Sequence, residues 1–196
     1  MTGSRHLSQA LSEGDGISLL APVSNASEAT DAESDGAEAV VVVASLAGIR
    51  EATGLPILWL VGASPRAAVE AGADACVLRV EAGDDGDRLS ELHEEAQSLG
   101  IEPVVGVRDD EDLALALEHV DPEILLLSVI GDEEEQDGLD RVLELLPDVP
   151  AGKLAIAEVP VRTREDVLAL ERAGVDGVIV HARDVSRLAG GPPPEV

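Results

Sequence analysis

Short apolar runs alternate with polar segments of helical period along most of the chain. The runs 17–23 (ISLLAPV), 38–44 (EAVVVVA), 56–61 (PILWLV), 74–80 (DACVLRV), 103–108 (PVVGVR), 123–129 (EILLLSV), 153–159 (KLAIAEV) and 176–181 (DGVIVH) are rich in Val, Ile and Leu. Their near-continuous apolarity marks strands covered on both faces, as in a parallel sheet. Between them the clearest helices fall at 86–99, 109–119, 137–146 and 163–173, with shorter ones at 27–35, 48–53 and 64–71. Thr163 followed by Asp166 has the form of an N-cap with an acid in the first turn, and Ser64-Pro65 that of a cap followed by proline at the first helical position.

Strands alternating with helices eight times over predict an α/β protein, a compact (β/α)8 barrel, with a doubly wound open sheet as the alternative. An internal echo favours the barrel. The lead-ins DGAEA (35–39), AGADA (71–75) and AGVDG (173–177) precede strands 2, 4 and 8, and DPEI (121–124) sits similarly before strand 6. In each, a glycine or its substitute ends a helix and an acid opens a buried strand. The expected division is a short N-terminal segment (1–16), one barrel domain (17–188) and a flexible tail (189–196); the end LAGGPPPEV (188–196) leaves the closing helix stunted.

Composition adds limits on function. The 196 residues suit one domain with a sizeable core, and 45% of them are apolar. With no Phe, no Tyr and one Trp, that core is aliphatic. Lys and Arg number 13 against 40 Asp and Glu, a formal charge of −27. Such a field opposes nucleic acid and anionic membranes. The single cysteine, Cys76, excludes a disulfide framework or a cysteine-built metal cluster. No apolar run is long enough to span a bilayer, and residues 1–16 lack the apolar core of a signal peptide, so a cytoplasmic location is expected. Acid excess together with a single lysine, Lys153, suits solubility in concentrated salt. A GC-rich genome would also favour Arg over Lys, and neither explanation bears on function.

Barrel chemistry gathers at the C-terminal ends of strands, and here the sequence resembles a known family. The run AEVPVRTREDVLALERAGVDGVIVHARDV (157–185) is similar to the last two βα units of indole-3-glycerol phosphate synthases, ribulose-phosphate-binding barrels of tryptophan biosynthesis. PVVGVRDDEDLALALE (103–118) resembles their strand 5 and helix 5, VEAGADACVLRV (69–80) their passage into strand 4, LPIL (55–58) the start of their strand 3, and SLLAPVSNAS (18–27) their strand 1 motif. The resemblance implies a barrel of the ribulose-phosphate-binding type. It also implies closure of an indole ring with decarboxylation of a phosphorylated anilino-deoxyribulose, assisted by lysine general acids and carboxylates, with the phosphate held at glycine-rich loops after strands 7 and 8. No cofactor and no metal are implied.

Much of that equipment is replaced. The strand 1 Glu and Lys of the family fall on Pro22 and Ser24, the strand 3 Lys on Leu60, and the strand 5 Glu on Gly106. The strand 6 polar run falls on Ser128, Val129 and Ile130, and the phosphate-loop Gly-Glu pair on His181 and Ala182. Glu158 alone survives from the strand 7 motif. Lys153 begins strand 7, at the end of the barrel away from the reaction face, and arginine cannot stand in for lysine as a proton donor.

The candidate site is therefore Glu158 as proton-handling carboxylate, Arg108 and His181 as anion contacts, and Ser128 and Ser24 as polar contacts. Each has a plainer alternative. Glu158 could be a solvated or arginine-paired rim acid, and Arg108 could pair with Glu158 or serve in a structural salt bridge. His181 puts a Cβ where the phosphate loop needs close backbone approach. Ser128 suits local satisfaction, and Ser24 with Asn25 and Ser27 an ordinary turn. Trp59 has outward parity and is expected under the helices, and the acidic run DEEEQD (132–137) is expected to be a solvated loop. Two functions stay open: a tryptophan-pathway lyase or altered relative, and a non-catalytic paralogue binding a metabolite, such as a phosphorylated small molecule, or a partner protein.

Overall fold

A computed structural model describes residues 6–14, 16–44, 47–60, 64–80, 86–128, 137–180 and 185–188. Eight strands form a closed barrel in sequence order: β1 (Ser18–Pro22), β2 (Ala39–Val42), β3 (Ile57–Trp59), β4 (Ala75–Arg79), β5 (Glu102–Val107), β6 (Ile124–Ser128), β7 (Leu154–Glu158) and β8 (Gly177–Ile179). Every neighbouring pair is parallel, and β8 returns to β1. The chain is thus a (β/α)8 barrel, and the open-sheet alternative falls. Helices α1 (Leu7–Glu13), α2 (Ala26–Ser34), α3 (Ile49–Ala52), α4 (Pro65–Ala71), α5 (Asp87–Leu99), α6 (Asp110–His119), α7 (Asp137–Leu145), α8 (Arg164–Ala173), the four-residue α9 (Val185–Leu188) and a 3-10 turn at Leu146–Asp148 complete the described elements. No helix among them is long and apolar enough to cross a membrane.

The continuous apolarity of the strands reflects two cores. Leu20, Val41, Leu58, Val77, Val104, Leu126 and Ile156 point into the barrel and fill it. Their neighbours Ala21, Val40, Ile57, Cys76, Val105, Leu125 and Ala155 point outward beneath the helices, where Trp59 also packs. This inward parity carries on to Arg79, Gly106, Ser128 and Glu158 at the C-terminal end, the mouth of the barrel. Small aliphatic side chains suffice to fill the interior because the opposite end, the floor, is plugged by α1. Leu7 and Leu11 join the inner core. The N–H groups of Leu7 and Ser8 and the Ser8 hydroxyl donate to the Glu102 carboxylate at the first residue of β5. Helix α1, within the short N-terminal segment expected at 1–16, therefore closes the floor.

The echoed lead-ins have a common physics. Gly72 and Gly174 end their helices with φ of 92° and 99°, a left-handed conformation that glycine adopts without a Cβ penalty. Two residues on, Asp74 and Asp176 accept the backbone N–H of Ile57 and Ala155, tying each lead-in to the start of the neighbouring strand. Asp121 replaces the glycine before β6 at φ 44°. Its carboxylate and carbonyl hold Lys153 Nζ at 2.6 and 3.3 Å, which fixes the chain's lysine at the floor. Thr163 and Asp166 form the reciprocal capping box that their spacing predicts, and Ser64 caps α4 ahead of Pro65.

Candidate functional site

The mouth gathers polar side chains from three strands. Ser128 ends β6 and pairs in register with Glu158 at the end of β7. Ser128 is buried, 2% exposed, and its hydroxyl donates to Glu158 Oε2 at 2.5 Å. The same oxygen accepts from Arg79 Nη2 at 3.2 Å, and Arg79 Nη1 reaches Ser128 Oγ at 3.4 Å. Arg79 is the last residue of β4, so its side chain crosses β5 to reach β6 and β7. Gly106 leaves that path roomy: a Cβ there would lie 3.3 Å from both Arg79 Cγ and Val77 Cγ1, so these neighbours would have to give by a few tenths of an ångström. The missing side chain on β5 and the extended arginine on β4 are one arrangement.

The sequence points to Glu158 and Ser128 at the mouth but does not single out Arg79. The signal was the lone charge in VLRV (77–80), which shares the inward parity of Ala75 and Val77. Arg108, expected as an anion contact or a structural salt bridge, pairs with Asp112 of the helix that follows it and not with Glu158. Its Nε and Nη2 donate to the Asp112 carboxylate at 2.7 and 3.2 Å, and Nη2 also donates to the Val80 carbonyl. The Asp112 hydrogen bond, then its charge, raise the Arg108 pKa above its usual value. Ser24 lies in an exposed turn whose backbone N–H donates to Glu28, while Asn25 caps α2. His181 and residues 132–136 of the acidic run lie outside the described residues.

Elsewhere, Trp59 lines an open cleft of about 580 Å³ with residues of α3 and α4. Arg50, on the same cleft, is held by Asp74 and by the carbonyls of Thr53 and Leu55. Among the described residues no three His, Cys, Asp or Glu side chains converge as a metal site.

Comparison with known proteins meets the same segment. The family model described as indole-3-glycerol phosphate synthase matches residues 65–183, from α4 to just past β8, and so includes Arg79, Gly106, Ser128 and Glu158. The chain belongs to the indole-3-glycerol phosphate synthase family. The indole-3-glycerol phosphate synthase of Acidithiobacillus ferrooxidans is 34% identical over 141 residues, covering 69% of this chain and 52% of that protein. The enzyme of the same name from Sulfurisphaera tokodaii is 29% identical over 109 residues, 56% of this chain and 44% of that one. The chain thus spans about half the length of the curated indole-3-glycerol phosphate synthases it matches. A solved N-acetylmannosamine-6-phosphate 2-epimerase from Clostridium perfringens superposes with a TM-score of 0.69 over 90% of both chains at 14% identity, a likeness of barrel fold alone.

Proposed function

We propose that this member of the indole-3-glycerol phosphate synthase family binds a phosphorylated small molecule at its mouth and does not close an indole ring by a lysine-dependent route. The observation that carries this reading is the seat of Lys153. The chain has no other lysine, and this one is bonded to Asp121 at the floor. The five residues of β7 separate it from the mouth by about 16 Å at roughly 3.3 Å per residue, beyond the reach of its side chain. Arginine keeps its proton at any pH where the protein is folded, so neither Arg79 nor Arg108 replaces a lysine acid. Gly106 removes the carboxylate that the family resemblance places on strand 5.

One observation favours a second reading, a lyase of the tryptophan pathway with residual or altered chemistry. Glu158 retains the strand 7 carboxylate and is oriented by Ser128 and Arg79, as a proton-handling group would need.

The deciding experiment supplies the phosphorylated anilino-deoxyribulose to the purified chain in concentrated KCl and follows indole-glycerol-phosphate formation, with Glu158→Gln in parallel. The proposal expects saturable binding without turnover above the uncatalysed rate. Robust turnover by the wild type, lost in Glu158→Gln, would establish the second reading instead.

A further inference from the structure

We infer that the cleft beside Trp59, on the outer face of the barrel, is a binding site for a small organic cation of the alkylated ammonium class. Helix α3 has four residues and α4 seven, so the helical layer over β3 is thin and leaves an opening of about 580 Å³. That volume is within the range of small-molecule sites. The chain has one Trp, no Phe and no Tyr, and its one indole lines this opening with Ala44, Val69 and Ala71. Val69 is 37% exposed, so the apolar wall continues to the surface. Aliphatic side chains cover the outward face of the other strands. At Trp59 the chain instead spends its one indole on a half-buried position, where the ring offers a π face to whatever enters the cleft.

The charges around the opening select the ligand. Arg50 lines it too, but its guanidinium is committed elsewhere: Nη1 donates to Asp74 at 2.6 Å, and Nη2 donates to the Thr53 and Leu55 carbonyls, each at 2.8 Å. The Asp74 charge offsets that of Arg50. Glu51 and Glu70 also line the cleft, and among the described residues neither takes part in a salt bridge. Arg66, one turn before Glu70 on α4, pairs with Glu95 instead. The cleft therefore keeps two carboxylates beside an indole and an apolar wall. A cation is drawn by the carboxylates through charge and by the indole through its quadrupole. A hard metal ion holds its water and gains little from such a wall, whereas the alkyl groups of an ammonium bury against Trp59 and Val69. An anion is opposed by both acids and by the field of the whole chain. The site lies outside the barrel and does not depend on the reading of the mouth.

Trp59 reports on its own cleft, because the chain has no other Trp and no Tyr to emit beside it. The full chain is titrated with tetramethylammonium chloride in constant molar KCl, which screens the general field of the molecule. The emission of Trp59 should change saturably, with an affinity at least about fivefold above that for tert-butanol, a neutral molecule of nearly the same shape. Glu51→Gln and Glu70→Gln should each weaken tetramethylammonium about two- to fivefold. Glu165→Gln, which removes the same charge from the distant α8, should leave it within about 1.5-fold. Trp59→Leu, followed by calorimetry, should weaken it roughly three- to tenfold. Equal affinity for tetramethylammonium and tert-butanol, equal effects of the three glutamine substitutions, or an emission that does not saturate would overturn the inference. Emission that changes with protein concentration alone would place a second copy on the cleft and overturn it as well. The wild-type comparison and the glutamine variants decide even if Trp59→Leu fails to fold.

Discussion

Gly177→Ala tests the plugged floor directly. A Cβ at this first residue of β8 would lie 2.6 Å from Leu11 Cδ2, 3.0 Å from Leu20 Cδ1 and 3.6 Å from Ile156 Cγ1. Carbon atoms attract best at about 3.5–4.0 Å, so Leu11 must withdraw by about 1 Å and Leu20 by about half that. Neither is free to do so cheaply. Leu11 is 4% exposed on a helix whose N-terminus is bound to Glu102, and Leu20 is fully buried in a strand paired on both sides. Overpacking of this kind costs ~1–3 kcal/mol. For a domain of this size that lowers Tm by about 2–12 °C, read by circular dichroism. Leu11→Ala alone should cost ~2–5 kcal/mol as a truncation in the core. In that background the added methyl meets only Leu20 and Ile156, so its own cost should shrink to below ~1 kcal/mol. A double-mutant cycle therefore expects a coupling of about 1 kcal/mol or more. If Gly177→Ala is harmless, or costs the same with and without Leu11, α1 does not seat against β8 and the description of the floor is wrong.

Further outcomes follow from other parts of the structure. Burial pushes the Asp166 carboxyl up, but hydrogen bonds from the Arg162 and Thr163 backbone and the Thr163 hydroxyl, with the Arg162 charge, hold it below its ordinary 3.8. Its contribution is present above that value and is lost as pH falls through the lower folded one, so Asp166→Asn should flatten the acid limb of a denaturation profile below about pH 4. Burial first, and Glu95 second, push the Cys76 thiol up to about 12. Ellman's reagent at pH 8 should leave it unmodified until denaturant is added; rapid reaction in the native state would contradict its place beneath the helices. A chain of net charge −27 should gain stability from KCl as self-repulsion is screened, visible as a rising thermal midpoint between dilute and molar salt. A midpoint that fell with salt would show that attractive ion pairs dominate.

Much of the barrel was legible because its signals are local and repeat. Strands buried on both faces read as apolar runs; the bounds of seven fall inside the expected ones, while β5 starts and ends one residue earlier than expected. The caps at Ser64 and Thr163 formed as their spacing predicted, since a cap needs only neighbours in sequence. What stayed hidden depends on contacts between distant segments. The stripe of Leu7, Ala10 and Leu11 marks a helix, but nothing nearby in sequence says that it fills a barrel end; its partner Glu102 lies 95 residues away. Arg79 escaped notice for the same reason, because its role depends on partners in β6 and β7. Arg108 shows the converse. Its acid, Asp112, stands four residues on, in the first turn of the helix that follows, a pairing that needs only neighbours in sequence.

The plug also orders events in time. α1 is synthesised before every strand it touches, yet its docking groups arrive with Leu20, Glu102 and finally Gly177. A ribosome must deliver β5 before the helix has anything to cap it, and β8 before its seat is whole. Until then Leu7 and Leu11 are exposed apolar groups on a nascent chain, and a helix made ahead of all the strands it touches is among the last to be housed.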